Sequence, residues 1–214
     1  ISASLTHLEY NHLVLCYDNE SYANTDIQAS GSSPYGVNTT FTPPGKLHRI
    51  MNKRWKKNMA AMMAVGHPGV RYVATGCGSY AVDLMNKIRK ALEMGGPTFI
   101  HTYDPCPKGW DYDPMYSHEL GMLGVETGIW VQYEVIDGEI TLNGPTRMIA
   151  RGRRKRKPVY EFLKRQGRFA HFNDEDVDYF QAKVDEMWEK LWLPGILPIW
   201  PEEGLEPTHN LKND

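Results

Sequence analysis

The stretch Tyr17 to Gln28, YDNESYANTDIQ, follows the apolar run Leu13-Val14-Leu15 and crowds short oxygen-bearing side chains into one place. A divalent cation such as Mg2+ takes near-octahedral oxygen ligands at short range. Proteins commonly give it one or two carboxylate or amide groups, while phosphates and water complete the shell. Asn19 offers a side-chain oxygen for that purpose. The residues after it can turn a main-chain carbonyl toward the same point, and Asn24 and Thr25 can reach whatever the phosphates carry. The same residue types also favour a polar turn built on Asx motifs. Spacing alone leaves both readings open.

Other reactive side chains are scattered. Cys16, Cys77 and Cys106 lie far apart, an odd set that makes a poor disulfide framework and fits a reducing, cytoplasmic setting. A lone cysteine is most simply a small buried hydrophobe. His67, His101, His118 and His171 show no metal-ligand spacing and are expected to be structural. The basic run RGRRKRK, residues 151–157, could meet nucleic acid. A loop against acidic surface or a partner subunit suits the formal net charge of -2 better.

The elements that must position these residues follow from periodicity. HLVLCYD, ending at Asp18, has the apolar run of a strand buried on both faces. KLHRIMNKRWKKNMAAMMAV, from Lys46 to about Val65, mixes helix formers with apolar residues at three- and four-residue spacing, and Gly66 and Pro68 stop it. VRYVAT reads as a second strand. SYAVDLMNKIRKALEM then puts Ala81, Leu84, Met85, Ile88 and Leu92 on one helical face, and TFIHTY is a third strand. Alternating strands and helices predict an α/β fold with a doubly wound, mostly parallel sheet, whose ligands bind at the carboxyl ends of strands. The oxygen-rich stretch occupies such an end.

Further on, PCPKGWDYDP is a turn-rich loop and MYSHELGMLGVETG a helix. WVQYEVIDGEITLNGP is a hairpin turning at Asp137-Gly138. A helix over about 174–192 and the segment WLPGILPIWPEEG form a C-terminal arm. The expected division is residues 1–130 for the ligand-binding unit and 131–214 for a hairpin and arm that make subunit contacts. With 214 residues, 41% hydrophobic and 23% charged, the chain can bury a sizeable core, and no run reaches the roughly 18 apolar residues of a membrane span. The start ISASLTHLEY has neither an initiator Met nor a signal-peptide pattern, and is expected to be the interior of something longer.

CYDNESYANTDIQASGSSPYG followed by TTFTPPGK resembles the thiamine-diphosphate-binding segment in the β subunit of 2-oxoacid:ferredoxin oxidoreductases, the pyruvate:ferredoxin oxidoreductase family. YVATGCGSYAVDLMNKIRKAL, GPTFIHTYDPCPKGW and KPVYEFLKRQGRF extend the likeness over most of the chain. The resemblance implies a thiamine-diphosphate-binding fold and a cofactor-binding set of Asp18, Asn19, Ser21, Tyr22, Asn24 and Thr25. In it, Asn19 ligates Mg2+ through its side chain and Ser21 through its main-chain carbonyl. Asn24 faces the thiazolium carbon and the substrate carboxylate as the catalytic amide, and Cys106 completes a [4Fe-4S] cluster, leaving Cys16 and Cys77 as core cysteines. A cluster commonly takes four thiolates. The family's other cysteines, and the Gly-Asp-Gly segment that gives Mg2+ its carboxylate, stand upstream of the matching region, in roughly a hundred further residues on a domain-scale estimate.

The implied activity is oxidative decarboxylation of a 2-oxoacid, pyruvate first, with electrons leaving through [4Fe-4S] clusters to ferredoxin. The implied setting is a hetero-oligomer with α and γ/δ-type subunits, and the use of coenzyme A stays open. Asp26 stands where pyruvate-handling members commonly have Gly. It is expected to point away and cap the following turn, or else to change the 2-oxoacid accepted, so oxalate, phenylglyoxylate and branched 2-oxoacids stay open. The rival of another class is a non-catalytic assembly subunit.

Overall fold

A computed structural model describes residues 3–190. Its sheet has the order β1-β3-β2-β4-β5, formed by β1 (His12–Asp18), β3 (Pro97–Tyr103), β2 (Tyr72–Cys77), β4 (Tyr133–Ile136) and β5 (Glu139–Leu142). The first three are parallel and the last two antiparallel. β4 and β5 join at Asp137-Gly138, both at positive φ, as the hairpin signal predicts.

Successive strand residues point to opposite faces, and each face has its own helix. Val73 and Phe99 pack against α1 (Met59–Gly66). Tyr72, Ala74 and Ile100 pack against α2 (Ala81–Met94). Helices on both faces make the sheet doubly wound. The remaining helices are α3 (Pro107–Trp110), α4 (Ser117–Glu126), α5 (Gly144–Ala150), α6 (Tyr160–Leu163) and α7 (Asp174–Lys190). They gather over the carboxyl edge, where Tyr103, Trp110, Trp130, Phe162, Phe180 and Trp188 share one core cluster.

Three expectations need correction. β1 is an edge strand of this sheet rather than one buried on both faces, with Leu15 48% and Tyr17 66% exposed. The helix predicted from Lys46 is confined to Met59–Gly66. Upstream of it Lys53, Arg54, Lys56 and Lys57 repel one another, Lys56 is drawn to buried carboxylates, and Asn52 is buried on the carbonyl of Pro34 at 2.6 Å. Asn58 starts α1 by accepting the Ala61 amide at 3.0 Å. In α2 the inward face runs Leu84, Lys87, Ile88 and Ala91, while Met85 and Leu92 are exposed. Lys87 is tolerated there because its ammonium reaches the Thr75 carbonyl at 2.9 Å and Asp83 at 2.6 Å. The segment WLPGILPIWPEEG lies outside the described residues.

Candidate functional site

β1 and β3 run in register from His12 opposite Pro97 to Asp18 opposite Tyr103, so both chains leave the sheet at the same carboxyl edge. The Asp104 amide ties the two exits together by donating to the Asp18 carbonyl at 3.1 Å. Alternation puts Val14, Cys16 and Asp18 on the α1 face, which carries Asp18 inward. Its carboxylate accepts the Glu20 amide at 2.8 Å, the Lys56 ammonium at 2.8 Å and His101 Nε2 at 2.8 Å.

Glu20, 1% exposed and at φ 65°, continues the network. Its carboxylate takes Lys56 at 3.1 Å and Arg168 at 2.6 Å. Lys56 lies over the rings of Trp130 and Tyr103 at 4.7 and 5.0 Å. Burial alone would raise the Asp18 carboxyl, but Lys56 and His101 outweigh it and hold the group well below the usual carboxylate range. Burial lowers His101, and Lys56 adds to that against the pull of Asp18. His101 is therefore neutral near pH 7, and a carboxylate partner requires that Nε2 carry the proton. Two carboxylates, two cations and a neutral imidazole make a balanced buried cluster beneath the turn.

Above it, Ser21 donates its amide to Asn19 Oδ1 at 3.3 Å, an Asx turn, and the indole of Trp110 donates to the Asn19 carbonyl at 2.8 Å. Ser21 Oγ is buried with no hydrogen-bond partner. Cys106 caps α3, its sulfur accepting the Gly109 amide at 3.3 Å. A Cβ on Gly109 would stand 3.2 Å from that sulfur and 3.6 Å from Ser21 Oγ, so Cys106 and Ser21 flank the same glycine. Of the residues expected at a site, Asn19, Ser21 and Cys106 thus meet. Asp18 faces inward as the support of the turn. Tyr22, Asn24 and Thr25 stand exposed on a loop closed by the Tyr22 amide on the Gln28 carbonyl at 3.0 Å, with Thr25 bonded to Gln28.

Asp26 is exposed on that loop at φ 84°, followed by Ile27 at φ 61°. Glycine adopts such angles without strain and Ile does not. Among the described contacts the Asp26 carboxylate caps nothing. Two hollows adjoin the turn. One of about 430 Å³ is largely apolar, with Trp55, Trp130, Tyr133 and Phe180 beside Lys56 and His101. The other, about 250 Å³, is polar, bounded by Ile27, Asn38, Thr40, Lys108, Asp111 and Arg168. The second offers an exposed cation, Lys108, on the Cys106 side, while exposed Lys57 borders the first.

The donor set decides which groups fit. Asn19 and Ser21 present neutral oxygens at the strand end, and the unpartnered Ser21 Oγ marks a polar position without an internal partner. The nearby carboxylates, Asp18 and Glu20, are committed to cations. This suits Mg2+ whose negative ligands come with a diphosphate and from outside the described residues. A [4Fe-4S] cluster does not fit the described residues by themselves. Among them no three His, Cys, Asp or Glu side chains are grouped for a metal, and burial raises the Cys77 thiol to about 11 and Cys16 above its usual value.

Sequence reasoning missed Glu20, Lys56, Trp110 and Arg168, whereas His101, expected to be structural, is buried against Asp18. The one available signal was an ionisable His101 inside an otherwise strand-forming run. Three of the basic run's cations pair internally: Arg154 and Lys157 bind buried Glu126, and Arg156 binds Asp185. Among the described residues no helix is long and apolar enough to cross a membrane.

Comparison with known proteins shows what the chain is similar to. Residues 3–102 match the family described as thiamine pyrophosphate enzyme, C-terminal TPP binding domain. The chain is 45% identical over 182 residues to pyruvate synthase subunit PorB of Methanothermobacter thermautotrophicus, covering 85% of this chain and 60% of that one. It is 39% identical to ketoisovalerate oxidoreductase subunit VorB of Pyrococcus horikoshii, covering 85% and 56%. With pyruvate synthase subunit PorB of Pyrococcus furiosus the identity is 38%, covering 91% and 61%. The chain therefore spans somewhat less than two thirds of the length of these curated relatives. A solved 2-oxoglutarate:ferredoxin oxidoreductase from Magnetococcus marinus aligns with a TM-score of 0.42 at 19% identity over 56% of this chain and 45% of that one, a likeness too weak to fix a fold. Residues 3–102 thus match a C-terminal TPP-binding domain, and most of the chain is similar to the PorB and VorB subunits of pyruvate synthase and ketoisovalerate oxidoreductase.

Proposed function

We propose that this chain forms the metal and diphosphate side of a thiamine diphosphate site in a 2-oxoacid:ferredoxin oxidoreductase, with pyruvate as substrate. The observation that carries the reading is the pair of neutral oxygen donors, Asn19 and Ser21, at the carboxyl end of β1 in a chain whose first half matches a TPP-binding domain. Asn19 holds Mg2+ through its amide oxygen and Ser21 through its carbonyl. Tyr22 and Thr25 border the cofactor, and Asp18 fixes the turn from below. Asn24, exposed on the loop, donates its amide to the substrate carboxylate, where position matters more than acidity. Thiamine diphosphate, when bound, supplies the carbanion chemistry by which a 2-oxoacid loses carbon dioxide.

Cys106 contributes one thiolate to a [4Fe-4S] cluster whose other ligands come from outside the described residues. Partner α and γ/δ-type subunits and ferredoxin complete the enzyme, with coenzyme A as the acyl acceptor to be tested, and residues 131–214 make subunit contacts in a cytoplasmic complex. Pyruvate is favoured over oxalate, phenylglyoxylate and branched 2-oxoacids by the names of the relatives above, and the 39% identity to VorB keeps ketoisovalerate in the panel.

Calorimetric titration of Mg2+ and thiamine diphosphate into the assembled complex tests the site. Asn19→Ala should weaken binding about tenfold or more. Wild-type affinity in that variant removes Asn19 from the metal, and no binding to the wild-type complex leaves the assembly-subunit reading. Turnover on pyruvate, ketoisovalerate, oxalate and phenylglyoxylate, with and without coenzyme A, then names the substrate.

A further inference from the structure

The turn that carries Asn19 and Ser21 is gripped from far along the chain. Arg168, 3% exposed, sends one guanidinium nitrogen to Glu20 Oε2 at 2.6 Å and Nε to Gln166 Oε1 at 2.8 Å. Its guanidinium carbon sits 4.0 Å from the Trp110 ring centroid. Trp110 in turn donates its indole N–H to the Asn19 carbonyl at 2.8 Å. The Arg168 backbone is fastened too, its carbonyl accepting the Asn38 amide at 3.0 Å, with the Gly167 amide on the Asp111 carbonyl at 2.8 Å.

Two features make stability a poor account of this arrangement. A buried ion pair is often no more stable than well-packed apolar residues of the same volume. In addition, Glu20 occupies φ 65°, a left-handed conformation that costs a non-glycine residue energy. What the pair secures is position. Glu20 is clamped between Lys56 and Arg168 on one side of the turn, while Trp110 fixes the Asn19 carbonyl on the other.

The geometry points to Arg168 as the positioning residue of the Asn19–Ser21 turn, acting through Glu20 and Trp110 to hold the turn's oxygens in the arrangement a metal-bound diphosphate needs. The inference deepens the functional reading above and rests on it for the ligand. The Arg168 guanidinium is taken up by Glu20, Gln166 and Trp110, so its effect passes through backbone order.

The test uses the assembled complex with Arg168→Met and with the double variant Arg168→Met/Glu20→Gln. The single variant leaves buried Glu20 with Lys56 alone and one carboxylate oxygen without its cation, and should lower the melting temperature. The double variant removes both charges, and its melting temperature should return toward that of the wild type. Two other readouts should stay impaired in the double variant. Amide hydrogen exchange of Glu20 and Ser21 in the ligand-free complex should rise about tenfold, and affinity for Mg2+ with thiamine diphosphate should fall about tenfold. Unchanged exchange at those two amides overturns the inference, whatever the cofactor does. Wild-type affinity in the double variant overturns it as well. A wild-type complex that binds no thiamine diphosphate removes the functional reading instead, and the exchange measurement still decides the positioning role.

Discussion

At the scale of single residues, Ser21 separates two ways of serving a ligand. Its hydroxyl is buried without a partner, and an unsatisfied buried polar group costs about 1–3 kcal/mol. Ser21→Ala should therefore leave stability unchanged or raise it by up to about 1 kcal/mol in urea denaturation. It keeps the main-chain carbonyl, so affinity for Mg2+ with thiamine diphosphate should stay within about twofold of wild type if that carbonyl is the ligand; a larger loss assigns the contact to the side chain. His101 gives a second residue-level test. Its folded pKa is lowered, so the unfolded chain takes up the proton first and stability falls as pH drops through the ordinary histidine range near ~6.5. One such group contributes a slope of at most about 1.4 kcal/mol per pH unit. His171, lowered by burial against its bond to the Gly36 carbonyl, adds a slope of the same sign. His101→Gln should accordingly reduce, without abolishing, the loss of stability between pH 7.5 and 5.5. Equal slopes in wild type and variant would assign that acid sensitivity to other groups.

At the scale of elements, α4 shows close approach overriding helix propensity. A Cβ on Gly124 would stand 2.4 Å from the Tyr103 ring, and that ring is stacked on Trp130 at 4.7 Å, so it has no room to yield. Gly124→Ala gains about 1 kcal/mol of helix propensity. Overpacking of this kind costs about 1–3 kcal/mol, so thermal melts should show net destabilisation, and a raised melting temperature would mean that Tyr103 moves aside. The same contrast between local and tertiary forces decides what could be read in the sequence. β2, β3, α4 and the hairpin were legible because their periodicity and turn residues agree with their packing, and α2 was legible as a helix but not in its inward face, which Lys87 shares while Met85 and Leu92 stay exposed. The segment 46–58 was misread because its residues form helices well, yet Lys56 and Asn52 are claimed by partners distant in sequence. The oxygen-rich turn was legible as a cluster. The buried charges beneath it were not, since Glu20 and Arg168 are 148 positions apart and no local pattern joins them.

At the scale of the whole molecule, the question is whether residues 131–214 behave as a separate unit. Within the described residues the packing runs continuously across that boundary. β4 extends the sheet by pairing with β2, and α7 contributes Phe180, Val184 and Trp188 to the cluster that holds Tyr103 and Trp110. Buried Glu126 at the end of α4 receives Arg154 and Lys157, and Arg156 reaches Asp185 on α7, so the basic run links the two parts instead of facing solvent as a block. Trp188 is the most exacting of these contacts: 4% exposed, it donates its indole N–H to the Gly128 carbonyl at 2.9 Å, where Gly128 has φ 77° and no space for a Cβ. Truncating a buried Trp costs about 3–5 kcal/mol. Because the lost contacts span both parts, Trp188→Ala should lower a single cooperative transition, seen alike by far-ultraviolet dichroism and by the fluorescence of the remaining tryptophans. Two resolved transitions, with the sheet melting at the wild-type temperature, would show that the C-terminal part folds as a unit of its own. In that case the grip of Arg168 on the turn at Asn19 would rest on the docking of two units and not on their shared folding.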